Sequence, residues 1–196
     1  MKTDPDATYM LLFKEGDKDA FRVLFEKYKK PVINFCHKFC GDHHLAEELA
    51  QEVFIRVYKA ASDYHPEARF STWIYRIATN ICLNELRRKK HVFEKESLDQ
   101  PISSENGEIA REIEDPSDAT PAGHLEEKER DRIIHQSIQK LPPKQRAAIL
   151  LRVNHGFSYE EIGKQMNSSE TRVKSLIHRA RQSLKDALQS YFEVNK

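Results

Sequence analysis

The chain has 196 residues, 39% hydrophobic and 32% charged, with only six glycines, which suits one helical domain or two small ones with a modest core. No apolar run approaches the ~18 residues of a membrane span, and the opening MKTDPDATYM lacks the apolar core of a signal peptide, so a cytoplasmic location is expected. The net charge of +1 conceals a partition: residues 1–90 hold 16 Lys+Arg and 13 Asp+Glu, residues 91–127 hold 2 and 11, and residues 128–196 hold 14 and 7. A basic C-terminal unit tied to a mildly basic N-terminal unit by an acidic segment suggests that the C-terminal unit meets a polyanion.

Residues 7–15 (ATYMLLFKE) fit a short amphipathic helix ending at Gly16. Asp17 can cap the next helix, in which Phe21, Leu24, Phe25 and Tyr28 recur at helical spacing. Pro31 is expected to restart the chain at a helix-compatible first position, with Gly41 stopping the new helix. Asp42 can cap HHLAEELAQEVFIRVYKAAS. Ala46, Leu49, Ala50, Val53 and Val57 line one side of it, and Glu48, Gln51, Glu52 and Ile55 line another. The segment CHKFCGDHH holds Cys36, Cys40, His43 and His44, residue types that zinc sites use. Cys36 and Cys40 lie at i, i+4 on a helix whose Phe35 and Phe39 also require burial, so core thiols and exposed histidines are the expected outcome and no metal is assigned.

After the loop DYHPEAR comes FSTWIYRIATNICLNELRRKK, a helix of about 21 residues from Phe70 to Lys90. Ser71 is the expected cap, and Phe70 and Tyr75 the expected hydrophobic staple. At roughly 100° per residue, Trp73, Arg76, Asn80, Asn84 and Arg87 share a sector of about 80°, opposite Ile74, Ile77, Ala78 and Ile81. Leu83 breaks the pattern by lying beside the polar stripe. An ordinary solvated stripe would be Glu and Lys. Here an aromatic, two amides and two guanidiniums supply the groups that stack on bases, bond base edges and hold phosphates.

From His91 to Glu127 the periodicity fails, and Pro, Gly, Ser and acidic residues give the composition of a flexible spacer. Order resumes near Lys128. Ile133, Ile134, Ile138 and Leu141 mark one helix, and Pro142-Pro143 ends it and begins KQRAAILLRVN. Asn154-His155-Gly156 reads as a turn. Ser158 and Glu161 then form a capping box, with Phe157 and Ile162 as its staple, and Ser169 can cap a last long helix. Residues Tyr159 to Leu184 fit a helix-turn-helix. Gly163 implies a close approach of helices, Asn167 tolerates the turn, and Val173, Ile177, Ala180 and Leu184 make a buried edge. Arg172, Lys174, Ser175, His178, Arg179 and Arg181 occupy the other sides, as a major-groove helix requires. No P-loop, GxSxG or HExxH occurs, so no catalytic residue or cofactor is assigned. His65, His91 and His155 are isolated and receive no role.

Taken in order, DKDAFRVLFEKY, AEELAQEVFIRVY, FSTWIYRIATNICLNELRR, a variable linker and LPPKQRAAILLRVNHGFSYEEIGKQMNSSETRVKSLIHRARQSLK resemble the extracytoplasmic-function (group four) sigma factors of the sigma-70 family. Asn167 stands where the family's turn often has Gly. The resemblance implies an all-α protein of two small helical domains joined by a flexible acidic linker. Domain two would be residues 1–90, the linker 91–127, and domain four, with the helix-turn-helix, 128–196. It implies a non-enzymatic factor that binds core RNA polymerase, recognises promoters and melts them. Glu48, Gln51, Glu52 and Ile55 would face the clamp helices of the largest polymerase subunit. Arg172, Lys174, Ser175, His178, Arg179 and Arg181 would read the minus-35 element. Asn80 would take a flipped minus-10 base, with Tyr64 as a pocket wall, Asn84 and Trp73 beside it, and Arg76, Arg87 and Arg88 on phosphates. The linker would run through the polymerase toward its active cleft or RNA exit path. The resemblance also implies an anti-sigma factor as partner. Two other readings are a helix-turn-helix regulator that binds only duplex DNA, which leaves the Trp73/Asn80/Asn84 stripe unexplained, and a metal enzyme built on Cys36 and Cys40.

Overall fold

The computed structural model describes the backbone of residues 4–96 and 121–194 and the side chains of residues 4–89 and 129–189. Every regular element among the described residues is a helix. Four belong to the N-terminal half: α1 (Pro5–Lys14), α2 (Lys18–Cys40), α3 (His43–Lys59) and α4 (Phe70–Glu96). Four belong to the C-terminal half: α5 (Pro121–Lys140), α6 (Pro143–His155), α7 (Tyr159–Met166) and α8 (Glu170–Val194). Helix α4 thus continues past residue 90, and α5 begins before residue 127, so the non-helical part of the connection is shorter than the sequence reading drew it. The acidic stretch expected to be a flexible spacer otherwise lies outside the described residues.

Most helix ends follow from single side chains. The Asp17 carboxylate accepts the N–H groups of Asp19 and Ala20, and the Asp42 carboxylate accepts that of Leu45. Gly41 and Gly156 close α2 and α6 at φ of 82° and 67°, a region that costs glycine nothing. Two expectations fail. Pro31 does not restart a helix but lies exposed within α2, which runs unbroken for 23 residues. Proline removes one backbone donor there, and burial of Leu24, Tyr28, Val32 and Phe35 on both sides of it holds the helix together. Ser71 is not the cap of α4. Ser71 lies inside the helix, which begins at Phe70, and the Asp4 carboxylate, 66 residues away in sequence, accepts the N–H of Phe70 at 2.7 Å.

That bond belongs to a network that ties α1 to the start of α4. Asp4 also accepts the N–H of Asp6 and so caps α1. The buried Asp6 carboxylate accepts from Lys27 Nζ at 2.6 Å and from the Tyr28 hydroxyl at 2.7 Å. Burial and this bond push the Tyr28 hydroxyl well above its ordinary pKa, so it stays a donor. Lys14 Nζ donates to the Tyr64 carbonyl at 3.1 Å and fixes the loop before α4. Phe70 packs against Tyr28, Tyr64 and Trp73, while Tyr75 turns away toward Phe35, so the expected Phe70–Tyr75 staple gives way to two separate aromatic contacts.

The halves also pack against each other. Helices α2 and α4 meet α5, α6 and α7. Residues 147–151 of α6 are all buried, which covers the middle of that helix on every side. It rests on α8 within its own half and on α2 and α4 across the seam.

Candidate nucleic-acid interface

The exposed stripe of α4 follows from its packing. Ile74, Tyr75, Ala78, Thr79 and Cys82 are buried, and this leaves Arg76, Asn80, Asn84 and Arg87 exposed on the far side, with Arg88 exposed beyond the apolar row of Ile74 and Ile81. Asn84 Oδ1 accepts from Arg87 at 3.4 Å, and Arg88 grips Glu85 with two bonds of 2.9 Å. The Arg88 guanidinium holds the Glu85 carboxyl below its ordinary pKa. Of the six candidates on this helix, Arg88 is therefore already engaged with a carboxylate. Trp73 is half-buried, its ring 4.9 Å from that of Tyr64 in an edge-on contact. Tyr64 is buried rather than lining an open wall, and its hydroxyl has no protein partner. Burial raises its pKa to about 12. Leu83, anomalous in the sequence pattern, is half-buried and packs on the core.

In the C-terminal half the helix-turn-helix forms as its capping residues dictate. Ser158 and Glu161 complete a reciprocal box, at 3.1 and 2.7 Å. Asn167 takes φ of 47° in the turn, the one non-glycine residue with positive φ among those described. The Ser169 hydroxyl accepts the N–H of Arg172 and caps α8. The reason for Gly163 differs from the one expected. A Cβ there would stand 2.7 Å from the Ser168 carbonyl oxygen, so the turn's own backbone, not a second helix, fills the space. Val173, Ile177 and Ala180 are buried, with Leu184 partly so, and Arg172, Lys174, Ser175, His178, Arg179 and Arg181 are all exposed. Lys174 is paired with Glu170 at 2.7 Å and lies 5.6 Å over the Tyr159 ring.

A third face lies on α3. Glu48, Gln51 and Ile55 are exposed and Glu52 is half-exposed. Glu48 stands 3.5 Å from His44, and Glu52 bonds Arg56 at 2.7 Å. Ile55 opens onto an apolar groove with Phe21, Phe25, Phe54 and Tyr58, and Ile55 and Tyr58 are 47% and 52% exposed. The sequence reading found Ile55 but missed the aromatics, because they come from α2 as well as α3. The segment CHKFCGDHH does not converge on a point. Cys36 faces Cys82 of α4 in the core at 3.8 Å, Cys40 meets the Asp42 carbonyl, and His43 and His44 pair along α3 with Glu47 and Glu48. Among the described residues no group of three His, Cys, Asp or Glu is placed to hold a metal.

Two helical units, one presenting an amide- and arginine-rich stripe and the other a basic helix-turn-helix, define a DNA-reading protein of the transcription-initiation class. Residues 24–92 match the family model for sigma-70 region 2, and residues 131–184 that for sigma-70 region 4. The chain is 36% identical over 180 residues to the ECF RNA polymerase sigma factor SigW of Bacillus subtilis, with 89% of this chain and 92% of that one aligned. It is 34% identical to the RNA polymerase sigma-H factor of Pseudomonas aeruginosa, with 90% of each covered. Its fold is similar to that of CnrH in complex with the cytosolic domain of CnrY (TM-score 0.67, 20% identity, 95% and 99% covered). It is also similar to RpoE bound to the anti-sigma factor NepR from Bartonella quintana (TM-score 0.67, 19% identity, 86% and 96% covered). The chain belongs to the extracytoplasmic-function sigma factors of the sigma-70 family. It is a promoter-recognition factor of RNA polymerase, and it acts by binding rather than by covalent chemistry. No helix among the described residues is long and apolar enough to cross a membrane.

Proposed function

We propose that this factor reads the minus-10 element through α4 as the duplex melts and the minus-35 element through α8 as intact duplex. The exposure of Asn80 and Asn84 between Arg76 and Arg87, on a helix whose opposite side is buried, carries the reading of α4. A reader of single-stranded DNA must take a base out of the stack and bond its edge. Asn80 supplies an amide for that edge, and Asn84 and Trp73 flank it. Arg76 and Arg87 hold phosphates, with Arg88 joining once it exchanges Glu85 for a phosphate. Tyr64 acts as the base of the pocket, supporting Trp73 from beneath. Unstacking costs a few kcal/mol, and each base stacked on an aromatic returns about 1–3 kcal/mol. Melting then needs no ATP when the polymerase adds further contacts.

On α8, Arg172, Lys174 and Ser175 in the first turns meet base edges, and His178, Arg179 and Arg181 meet the flanking backbone. Glu48, Gln51, Glu52 and Ile55 dock on the clamp helices of the largest polymerase subunit. The groove of Phe21, Phe54 and Tyr58 beside Ile55 gives an apolar anchor within that acidic surface. Domain two takes residues 1–90 and domain four residues 128–196, with 91–127 as the tether. The factor works in the cytoplasm, and an anti-sigma protein restrains it, as the anti-sigma factor NepR bound to one structural neighbour suggests. Run-off transcription with core polymerase and genomic promoter fragments tests the whole. The chain should add promoter-specific initiation, and transcripts no different from core alone would end the sigma reading.

A further inference from the structure

We infer that Asp4 and Lys14 are positioning residues for promoter opening: from the two ends of α1 they fix the two ends of the loop before α4, so that the loop is ordered before a base reaches Asn80. The inference rests on the assignment of α4 to the minus-10 element.

Residues 65–69 of that loop are all exposed, between the buried Tyr64 and the buried Phe70. Both borders are tied to α1. Lys14 Nζ donates to the Tyr64 carbonyl at 3.1 Å, and the Asp4 carboxylate accepts the Phe70 N–H at 2.7 Å. Between the ties the Glu67 N–H bonds the His65 carbonyl at 2.8 Å. Pro66 fixes its own φ and narrows the choices of His65.

The Asp4 tie has a second use, because Phe70 begins α4 and its N–H lacks an intrahelical acceptor. The Lys14 tie has no such use. Helix α3 ends at Lys59, so the Tyr64 carbonyl belongs to no helix end. Lys14 is exposed, and an ammonium is strongly hydrated, so neither capping nor burial calls for this bond. What it holds is the loop.

The anchor is stiff. Helix α1 is 10 residues long, about 15 Å. Near its start, the buried Asp6 carboxylate accepts bonds from Lys27 and Tyr28 of α2. Near its end, Phe13 packs on Phe21 of α2 at 4.7 Å and on Tyr58 of α3 at 5.0 Å. The two loop borders therefore keep their spacing unless α1 bends or leaves α2. The same ties orient the aromatics beside the stripe, since the Tyr64 and Phe70 rings lie 4.9 and 5.7 Å from that of Trp73. A pocket that has to be ordered as the base arrives loses affinity to the entropy of ordering. Helix α1 removes that loss, although neither Asp4 nor Lys14 is on the stripe.

Holoenzyme assembled from core polymerase and the full chain tests the brace. The probes are the non-template strand of a promoter found by run-off transcription, the same strand with single minus-10 bases replaced, and minus-35 duplex. Lys14→Met removes the donor at similar reach. It should weaken capture of the minus-10 strand several-fold and flatten the penalty for a replaced base. Minus-35 binding and the thermal midpoint of the chain should not change. Lys14→Arg keeps a donor and should restore both capture and discrimination. Asp4→Asn has one oxygen for two N–H groups and should act in the same direction from the other end of the loop. It decides the matter if Lys14→Met fails to fold. Capture and discrimination equal to the wild type in these variants would overturn the brace. So would an equal loss on minus-35 duplex, or a Lys14→Arg protein no better than Lys14→Met. Asn80→Ala is measured alongside. If it captures the strand like the wild type, the minus-10 assignment of α4 fails. If it alone loses capture, that assignment stands and only the brace fails.

Discussion

At the scale of single residues, the turn of the helix-turn-helix is set by an absence. A methyl group at Gly163 would meet the Ser168 carbonyl oxygen at 2.7 Å, and the Ser168 N–H also bonds the Gly163 carbonyl, so backbone faces backbone with little room to yield. Gly163→Ala gains about 1 kcal/mol of helix propensity and loses about 1–3 kcal/mol to overpacking. The loss should win. Thermal unfolding should occur several degrees lower, and binding to minus-35 duplex should weaken without any change in charge. A higher melting temperature would show that the turn can relax. Asp4 is the other residue whose role exceeds its size. It caps α1 through Asp6 and α4 through Phe70, and each cap is worth about 1 kcal/mol. Asp4→Ala should therefore cost about 2 kcal/mol in a denaturant titration of the full chain, where a residue serving one cap would cost half of that.

At the scale of elements, experiment can separate the two proposed DNA faces. Asn80 and Asn84 sit exposed on α4, and Arg172 and Ser175 sit exposed on α8. Asn80→Ala should slow promoter opening, read by permanganate reactivity of unstacked thymines, and leave minus-35 duplex binding largely intact. Arg172→Ala should do the reverse, and its affinity loss, about 1–3 kcal/mol for a bidentate base contact, should shrink on DNA that lacks the minus-35 sequence. Equal losses in both assays for Asn80→Ala would contradict its place in the melted strand. The helices themselves were largely legible in the chain. Asp17, Asp42, Ser158 and Ser169 cap where their chemistry predicts, because each cap is a bond between close sequence neighbours. The start of α4 was misread for the converse reason. Its cap comes from Asp4, and no local pattern reports a partner 66 residues away. Pro31 was misread because packing on both flanks outweighs one lost hydrogen bond.

At the scale of the molecule, the sequence held a clue to the seam between the domains. AAILL, residues 147–151, is too continuously apolar for a helix with one wet side, and the structure buries all five residues. What no pattern revealed is that three histidines collect along this seam. His155 of α6 packs its ring 3.7 Å from Tyr75 of α4 and 5.6 Å from Phe35 of α2, and His37 of α2 stacks on His135 of α5 at 4.9 Å. The charged and titratable groups facing them are Lys38 and, for His37, His43 and Asp42, and for His135, Arg146. Burial, then neighbouring positive charge, lowers all three, His155 to about 4. Asp42 opposes the shift of His37 without reversing it. A histidine whose pKa is depressed on docking is held neutral there, whereas the open form takes up a proton at the ordinary value near ~6.5. Docking is then at full strength above that value and weakens as the pH falls from it toward about 4. Between pH 7.5 and 5.5, His155 alone should shift the balance about tenfold toward the open form, and His37 and His135 act in the same direction. The radius of gyration of the wild type should therefore rise on acidification while helicity is retained. His155→Phe keeps the ring contact but cannot take up a proton, so it should need a lower pH to reach the same expansion. A variant that opened at the same pH as the wild type would place the proton sensitivity at the His37–His135 stack instead.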